Sequence, residues 1–323
     1  METMIPKLPL VSVAMATFNG EQFLEDQLRS ICNQTYRNLE VIVSDDCSTD
    51  GTAEILEEFN IKYGIDYCVN DKRLGLVRNF ERALSLCRGE YIALADQDDM
   101  WFPEKIECLL NEIGDHSLIS SDTNIIDSHG NIIAGSFKKV SNYIADTETP
   151  FLQLFLNTKW ISGCTMLFKK ELLREALPIP DGIGSHDWWF AIVATKNGGI
   201  KYLDRKLMSY RQHGKNISGN VKNQNLIYKF LRFFISDYRN KRKEFRNMIK
   251  KNIMITIDSN LLLEVYEKNI LTDAILYFDS FITNQFDMAT VKIAYKHREF
   301  LFSRRCFFAL EIFYRLLNKL FKL

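Results

Sequence analysis

The chain has 323 residues, of which 46% are hydrophobic and 25% charged, a composition typical of a soluble globular protein. The net charge is zero, but residues 1–220 carry 22 basic against 31 acidic side chains, and the remainder carries 19 against 10. Because the basic excess lies in an amphipathic tail, the charge pattern argues against nucleic-acid binding.

Cysteine usage and hydropathy exclude several other classes. The seven cysteines form no CxxC pair, which predicts reduced cytosolic thiols without a disulfide framework or a zinc site. The first residues show no charged segment followed by a long apolar one, so no signal peptide is expected. No run approaches about eighteen apolar residues, so no membrane-spanning helix is expected either.

Short apolar runs alternate with segments of helical spacing along the first part of the chain. The predicted strands are Leu10–Thr17, Leu39–Ser44, Ile65–Val69, Glu90–Ala95 and Leu118–Ser121. The predicted helices are Glu21–Cys32, about 53–63, about 77–87, and one that opens at Pro103. This alternation predicts βαβ units, and therefore an α/β fold with a mostly parallel sheet and flanking helices.

Polar residues follow three of the predicted strands. In parallel sheets, ligands bind beyond the carboxyl ends of the strands. This rule places three loops on one rim of the sheet: Thr17-Phe18-Asn19, Asp45-Asp46 and Asp96-Gln97-Asp98. The sequence therefore predicts a ligand site at this rim.

The third loop holds three aspartates within four positions, directly after a buried strand. Like charges this close repel unless a cation lies between them. Asp96 and Asp98 are therefore predicted to hold Mg²⁺ or Mn²⁺, together with substrate phosphates. The alternative is a helix cap, in which Asp98 or Asp99 caps the helix near Pro103.

Two acidic motifs have their own alternatives. Asp45 and Asp46 end a strand, where a carboxylate can accept the N3–H of a pyrimidine base, although the surrounding SDDCSTDGT is also ordinary turn chemistry.

Asp187 lies in GSHDWWFA, at the start of a predicted helix. Apolar neighbours would raise its pKa towards values useful for a general base, and the alternative is again a helix N-cap.

His213 follows a predicted strand, Lys206–Tyr210, in the segment YRQHGKNISG. Its imidazole could add a nitrogen ligand to the metal or contact the diphosphate of a nucleotide. A single histidine of this kind can equally be structural.

Residues 221–323 are predicted to form a helical, basic C-terminal region, separate from a domain of residues 1–220. Their last stretch, 298–323, places basic residues on one helix face and aromatic residues mostly elsewhere. This pattern predicts an interfacial helix on an anionic membrane surface. The alternative is a helix packed on its own domain or on a partner chain.

The ordered motifs ATFNGEQFL, LEVIVSDDCSTDGT, GEYIALADQDDMW, ISGCTMLF, SHDWW and YRQHG resemble family 2 glycosyltransferases of the GT-A fold. The resemblance covers roughly residues 8–219, and the DQDD-x-W variant is most similar to the bacterial branch that includes rhamnosyltransferases. It implies a nucleotide-sugar donor linked to dTDP or UDP, a divalent metal, and inversion at the anomeric carbon.

The resemblance also implies roles for individual residues. Thr17, Phe18 and Asp46 match nucleoside contacts, with Asn19 and Asp45 beside them, and Asp96 and Asp98 match the metal and diphosphate motif. Asp187 matches the catalytic base. Residues expected near the donor or acceptor sugar are Gly163, Cys164, His186 and Trp188, although Trp188 could merely pack. Arg73 or Lys72 could help to neutralise the diphosphate, and the alternative is a solvated charge pair on the surface.

The family more often has Glu-Asp where this chain has His186-Asp187, and the Gln-x-x-Arg-Trp motif of processive members is absent. The missing motif favours the addition of one sugar, or a few, rather than a long polymer, and the His186-Asp187 pair leaves the partner of the base open. The expected acceptor is a glycan or a polyprenyl-linked molecule at the inner face of the cell membrane. Two other functions compete with this one. A non-catalytic nucleotide-sugar scaffold would need a damaged motif, and a nucleotidyl transferase would need a glycine- and lysine-rich phosphate loop after the first strand; neither feature is seen.

Overall fold

The computed structural model describes residues 8–140, 154, 161–214, 216, 236–259, 263–283 and 288–297. These residues belong to two compact units. The first takes the chain up to Ser141, Ile161–Ile179 and Ser185–Asn220, and the second includes Pro180–Gly184 and the chain from Val221. The division into residues 1–220 and 221–323 remains a prediction.

The first unit is built on one sheet, which has nine strands in the part of the chain that the structure describes. The strands are β1 Val11–Thr17, β2 Leu39–Asp45, β3 Asp66–Val69, β4 Tyr91–Ala95, β5 Met100–Trp101, β6 Leu118–Ile126, β7 Ile132–Ala134, β8 Met166–Lys169 and β9 Ile200–Arg211. Their order is β3-β2-β1-β4-β8-β6-β9-β5, and β7 pairs with β6.

The direction of the strands changes across the sheet. The neighbours β3, β2, β1 and β4 are parallel, as are β6 and β9. The short strand β8 runs antiparallel between β4 and β6. The predicted α/β fold with a mostly parallel sheet is confirmed, whereas the antiparallel strands β5, β7 and β8 were not predicted.

Helices cover this sheet. Those in the first unit are α1 Leu24–Cys32, α2 Thr52–Tyr63, α3 Leu76–Leu86, α4 Lys105–Ile113, α5 Phe137–Val140, α6 Leu172–Ala176 and α7 His186–Lys196. Helix α1 shows why the sequence favours these elements, since Leu24, Leu28 and Ile31 share one face and are fully buried. The four helices predicted before residue 115 are confirmed within about three residues at their starts.

The described part of the second unit is helical, with α8 Ser236–Asp258, α9 Val265–Ile282 and α10 Met288–Lys296. Helix α9 begins with a capping box, in which Glu264 and Glu267 satisfy each other's backbone N–H groups. Within the described residues, no helix combines the length and apolar character needed to cross a bilayer. The predicted membrane helix of residues 298–323 lies outside the described residues.

Candidate active site at the carboxyl rim of the sheet

The loops that follow β1, β2 and β4 meet at one edge of the sheet. The Thr17 hydroxyl donates to Asp45 Oδ1 at 2.8 Å. Gln97 binds the Phe18 backbone twice, accepting from its N–H at 2.8 Å and donating to its carbonyl at 3.1 Å. Asn19 N donates to the Ser48 hydroxyl at 2.8 Å. The predicted convergence of the three polar loops is therefore confirmed.

The buried Asp45 carboxylate links residues of two loops at this rim. Its carboxylate accepts hydrogen bonds from the Thr17 hydroxyl and from both the backbone N–H and the hydroxyl of Ser48, at 2.9 and 2.6 Å. The residue is only 1% exposed. These contacts fix the turn after β2, and the predicted nucleotide contact of Asp45 remains a prediction.

Asp46 is buried beside it and accepts hydrogen bonds from four groups. Oδ1 accepts from Leu74 N at 2.6 Å and from Asn70 Nδ2 at 3.1 Å. Oδ2 accepts from Gly75 N at 2.9 Å and from Arg73 Nε at 3.3 Å. Burial alone would raise the pKa of Asp46, but these hydrogen bonds outweigh it and hold the pKa below its ordinary value. The carboxylate is therefore anionic and fixed in place at neutral pH.

Asp98 and Asp99, in the loop after β4, have different hydrogen-bond partners. Asp98 Oδ2 lies 2.8 Å from His213 Nε2 and 3.4 Å from Asn216 Nδ2, so the predicted pair of Asp98 and His213 is brought together. Asp99 Oδ1 accepts from Arg211 N at 3.0 Å. Glu104 is the N-cap residue of α4, and in the first turn Ile106 N donates to Gln34 Oε1 at 3.1 Å. The alternative that Asp98 or Asp99 caps this helix is therefore wrong.

Crowding of these carboxylates is visible in their pKa values. Burial and the neighbouring charges of Asp98 and Asp187 raise the pKa of Asp96 to about 7. Burial and the charges of Asp98 and Asp96 raise the pKa of Asp99 well above its ordinary value. Asp99 Oδ2 is buried and has no hydrogen-bond partner among the described residues. Such a cluster favours a cation, because positive charge would relieve the repulsion.

Two overlapping sets of side chains could hold that cation. Ligand atoms of Asp96, Asp99 and Cys164 lie within 4.8 Å of one another. Burial raises the pKa of the Cys164 thiol well above its ordinary value, and a thiol does not suit Mg²⁺ or Mn²⁺, which prefer oxygen ligands. Asp98 and His213, with Asp96 beside them, offer oxygen and nitrogen ligands and fit either ion better.

Asp187 lies in the first turn of α7. Its Oδ1 accepts from Trp188 N at 2.8 Å and from the Ser185 hydroxyl, and its Oδ2 accepts from Gly163 N at 3.2 Å. Burial raises the pKa of Asp187 to about 6 despite these hydrogen bonds. Ser185, not Asp187, is the N-cap residue, so the alternative interpretation of Asp187 as a cap is wrong.

Gly163 and Cys164 belong to a 3₁₀ turn that leads into β8. A Cβ atom on Gly163 would lie 3.2 Å from both Asp187 Cβ and His186 Nε2. The glycine therefore allows this turn to pack directly against the start of α7. The carbonyl of the buried Cys164 accepts from Lys105 Nζ at 2.5 Å. Contact of either residue with a sugar remains a prediction.

His186 and Trp188 are buried in the structure, at 5% and 6% exposure. The His186 ring stacks on Phe80 with 3.9 Å between ring centroids, and burial lowers its pKa to about 3. Both of its ring nitrogens lack a partner among the described residues. Both rings pack inside the unit, as the alternative interpretation of Trp188 expects. Contact of His186 or Trp188 with a sugar remains a prediction.

The sequence alone assigned no individual role to three residues that support the site. Gln97 joins two rim loops, and Lys105 is fully buried although lysine at a helix start is ordinarily exposed. Arg211 is 3% exposed, and its Nε donates to the Asp98 carbonyl at 2.9 Å. Arg211 belongs to the YRQHG motif, in which only His213 was predicted to have a role.

Comparison of the sequence with known proteins identifies related glycosyltransferases. The family model described as Glycosyl transferase family 2 matches residues 12–177. A dTDP-rhamnosyl transferase, RfbG of Shigella flexneri, is 35% identical over 222 residues, which cover 64% of this chain and 73% of that protein. An uncharacterized glycosyltransferase of Haemophilus influenzae is 31% identical and aligns with 83% of this chain and 85% of its own.

Solved structures show the same fold. Staphylococcus aureus TarS 1–349 in complex with UDP-GlcNAc has a TM-score of 0.59 at 18% identity, over 88% of this chain and 79% of that one. The mannosyltransferase PcManGT of Pyrobaculum calidifontis, in complex with GDP-Man and Mn²⁺, has a TM-score of 0.57 at 17% identity, over 91% and 76%. The chain therefore belongs to glycosyltransferase family 2 and is a nucleotide-sugar glycosyltransferase with the GT-A fold.

Proposed function

We propose that this glycosyltransferase moves one sugar from a dTDP- or UDP-linked donor, with inversion and with a divalent cation, to a glycan or polyprenyl-linked acceptor. dTDP-rhamnose is the preferred candidate donor, and a UDP-hexose is the second. The similarity to a dTDP-rhamnosyl transferase and to a putative teichuronic acid biosynthesis glycosyltransferase of Bacillus subtilis supports a role in bacterial cell-surface polysaccharide synthesis.

One observation carries the chemical part of this proposal. Asp187 is a buried carboxylate with a pKa of about 6, close enough to Asp96 for its charge to help raise the Asp96 pKa. A base with this pKa is ionised at neutral pH and still accepts a proton readily. Direct attack by an acceptor hydroxyl then needs no covalent enzyme intermediate, which is why we propose inversion.

We propose separate roles for the side chains of the site. Phe18 and Asp46 would bind the base of the nucleotide at the rim, and Asp98 and His213, with Asp96, would hold Mg²⁺ or Mn²⁺. When bound, such an ion supplies positive charge to the departing nucleoside diphosphate. Asp187 would take the proton of the acceptor hydroxyl on Oδ2, because Oδ1 already accepts two hydrogen bonds whereas Oδ2 accepts one at 3.2 Å.

The test is a transfer assay with purified protein, Mn²⁺, and a panel of dTDP-rhamnose, UDP-galactose, UDP-glucose and UDP-N-acetylglucosamine. Bacterial lipid and glycan extracts serve as acceptors, and released nucleoside diphosphate is measured with and without EDTA. We expect one donor to be consumed only when acceptor and metal are both present. The anomeric configuration of the product, read by NMR, should be opposite to that of the donor.

Full activity in EDTA would contradict the metal role, and a product with retained configuration would contradict inversion. Protein that binds a donor but transfers nothing to any extract would favour the non-catalytic scaffold. The peripheral membrane contact predicted for residues 298–323 is a separate matter, which fractionation of a truncated protein would address.

A further inference from the structure

Arg73 lies over the two groups proposed to bind the nucleotide base. The centre of its guanidinium is 3.4 Å from the centroid of the Phe18 ring, a stacking distance. Its Nε donates to Asp46 Oδ2 at 3.3 Å. A planar, hydrogen-bonding cation thus makes the same two interactions that a pyrimidine base would make, one with an aromatic face and one with a carboxylate.

The Asp46 carboxylate has little capacity left for another donor. A carboxylate offers about four hydrogen-bonding positions, and four donors already approach this one. Two are backbone N–H groups, and the third comes from Asn70, which is 4% exposed. The fourth, from Arg73, is the longest, and this side chain is 57% exposed. Arg73 is therefore the partner that can leave.

We propose that Arg73 occupies the base position of the donor site until a nucleotide arrives, and that it then turns outward to pair with the diphosphate. This inference rests on the proposed function, because it assumes that Phe18 and Asp46 bind the base. A base can reach Asp46 only at the position that Arg73 vacates, so binding of the base requires displacement of the Arg73 guanidinium.

This exchange makes the site selective for nucleotides over nucleosides. A nucleoside displaces Arg73 and offers the guanidinium no new anion. Its apparent affinity is therefore the intrinsic affinity multiplied by the fraction of free molecules in which Arg73 has left the base position. A nucleoside diphosphate supplies phosphate oxygens, which guanidinium groups bind in bidentate geometry. Hydrogen bonds to phosphate then replace the interactions that Arg73 made with Phe18 and Asp46.

The experiment measures dissociation constants of uridine, thymidine, UDP and dTDP by calorimetry or by competition with a fluorescent nucleotide, in the presence of Mn²⁺. The proteins are wild type, Arg73→Ala, Arg73→Lys and, as a matched control, Lys72→Ala, which removes the adjacent exposed cation. We expect both Arg73 variants to bind the matching nucleoside about two- to tenfold more tightly than wild type. Arg73→Ala should gain nothing for the diphosphate, and Lys72→Ala should leave nucleoside binding unchanged.

Each outcome has one meaning. The inference is overturned if both Arg73 variants bind the nucleoside as weakly as wild type or more weakly. It is also overturned if the nucleoside competes detectably with no protein. Neither result would contradict the proposed donor site. A gain for the diphosphate in Arg73→Ala as large as that for the nucleoside overturns the phosphate contact. Wild-type protein that binds no nucleoside diphosphate at all would count against the proposed function itself, whatever the variants do.

Discussion

Replacement of Asp187 by asparagine is expected to lower the rate of sugar transfer by about 100- to 10,000-fold, because the acceptor hydroxyl loses its proton acceptor. The substitution preserves the volume of a side chain that is 8% exposed, so the unit should still fold. Binding of the nucleoside diphosphate should persist, which separates loss of chemistry from loss of the site. The matched control is Asp181→Asn, an exposed carboxylate six positions earlier, which should retain the wild-type rate.

The pH dependence follows from the same residue. The Asp187 pKa of about 6 lies above the ordinary value because of burial, and the base works only when ionised. The transfer rate should therefore be full above pH 7 and fall as pH drops through 6, to about a tenth near pH 5. If the Asp187→Asn protein is as active as wild type, Asp187 is not the base that accepts the proton of the acceptor hydroxyl.

Replacement of Asp98 by asparagine is expected to lower the metal-dependent transfer rate by about 100-fold or more, since an ion at a leaving group contributes several kcal/mol. The variant keeps the size of the side chain but removes the charge that faces His213 at 2.8 Å. Binding of Mn²⁺ to the protein with UDP, followed by electron paramagnetic resonance, should weaken in parallel.

The control for this substitution is Asp115→Asn, an exposed carboxylate before β6, at the edge of the sheet opposite the rim. It should bind Mn²⁺ as wild type does. If Asp98→Asn retains both Mn²⁺ affinity and rate, the ion is held elsewhere, and the cluster of Asp96, Asp99 and Cys164 becomes the next set to test.

The sequence was sufficient to predict the rim because local patterns determine it. Strands β1, β2 and β4 are short apolar runs that end in polar residues, and parallel neighbours must end at the same edge. The position of Asp187 at the start of α7 followed in the same way from the helical pattern around it. These parts of the site depend on residues close together in the chain.

The remainder depends on contacts between distant segments. Strand β8 has four residues, and only its pairing with β4 and β6 makes it a strand and brings Gly163 to Asp187. The buried Lys105 has a partner because the carbonyl of Cys164, 59 positions later, accepts a hydrogen bond from its Nζ. No local pattern predicts that a lysine or an arginine will lie under an acidic loop, so the supporting roles of Lys105 and Arg211 became visible only in the structure.

The central claim is that the aspartates at the rim form a cation-dependent nucleotide site. The most direct measurement is the melting temperature of the purified protein with UDP or dTDP, each with Mn²⁺ and with EDTA. A ligand that binds only the folded state raises this temperature. We predict a rise when a nucleotide and Mn²⁺ are present together, and little or none with either alone. An equal rise in EDTA, or a cooperative transition that no nucleotide shifts, would contradict the account.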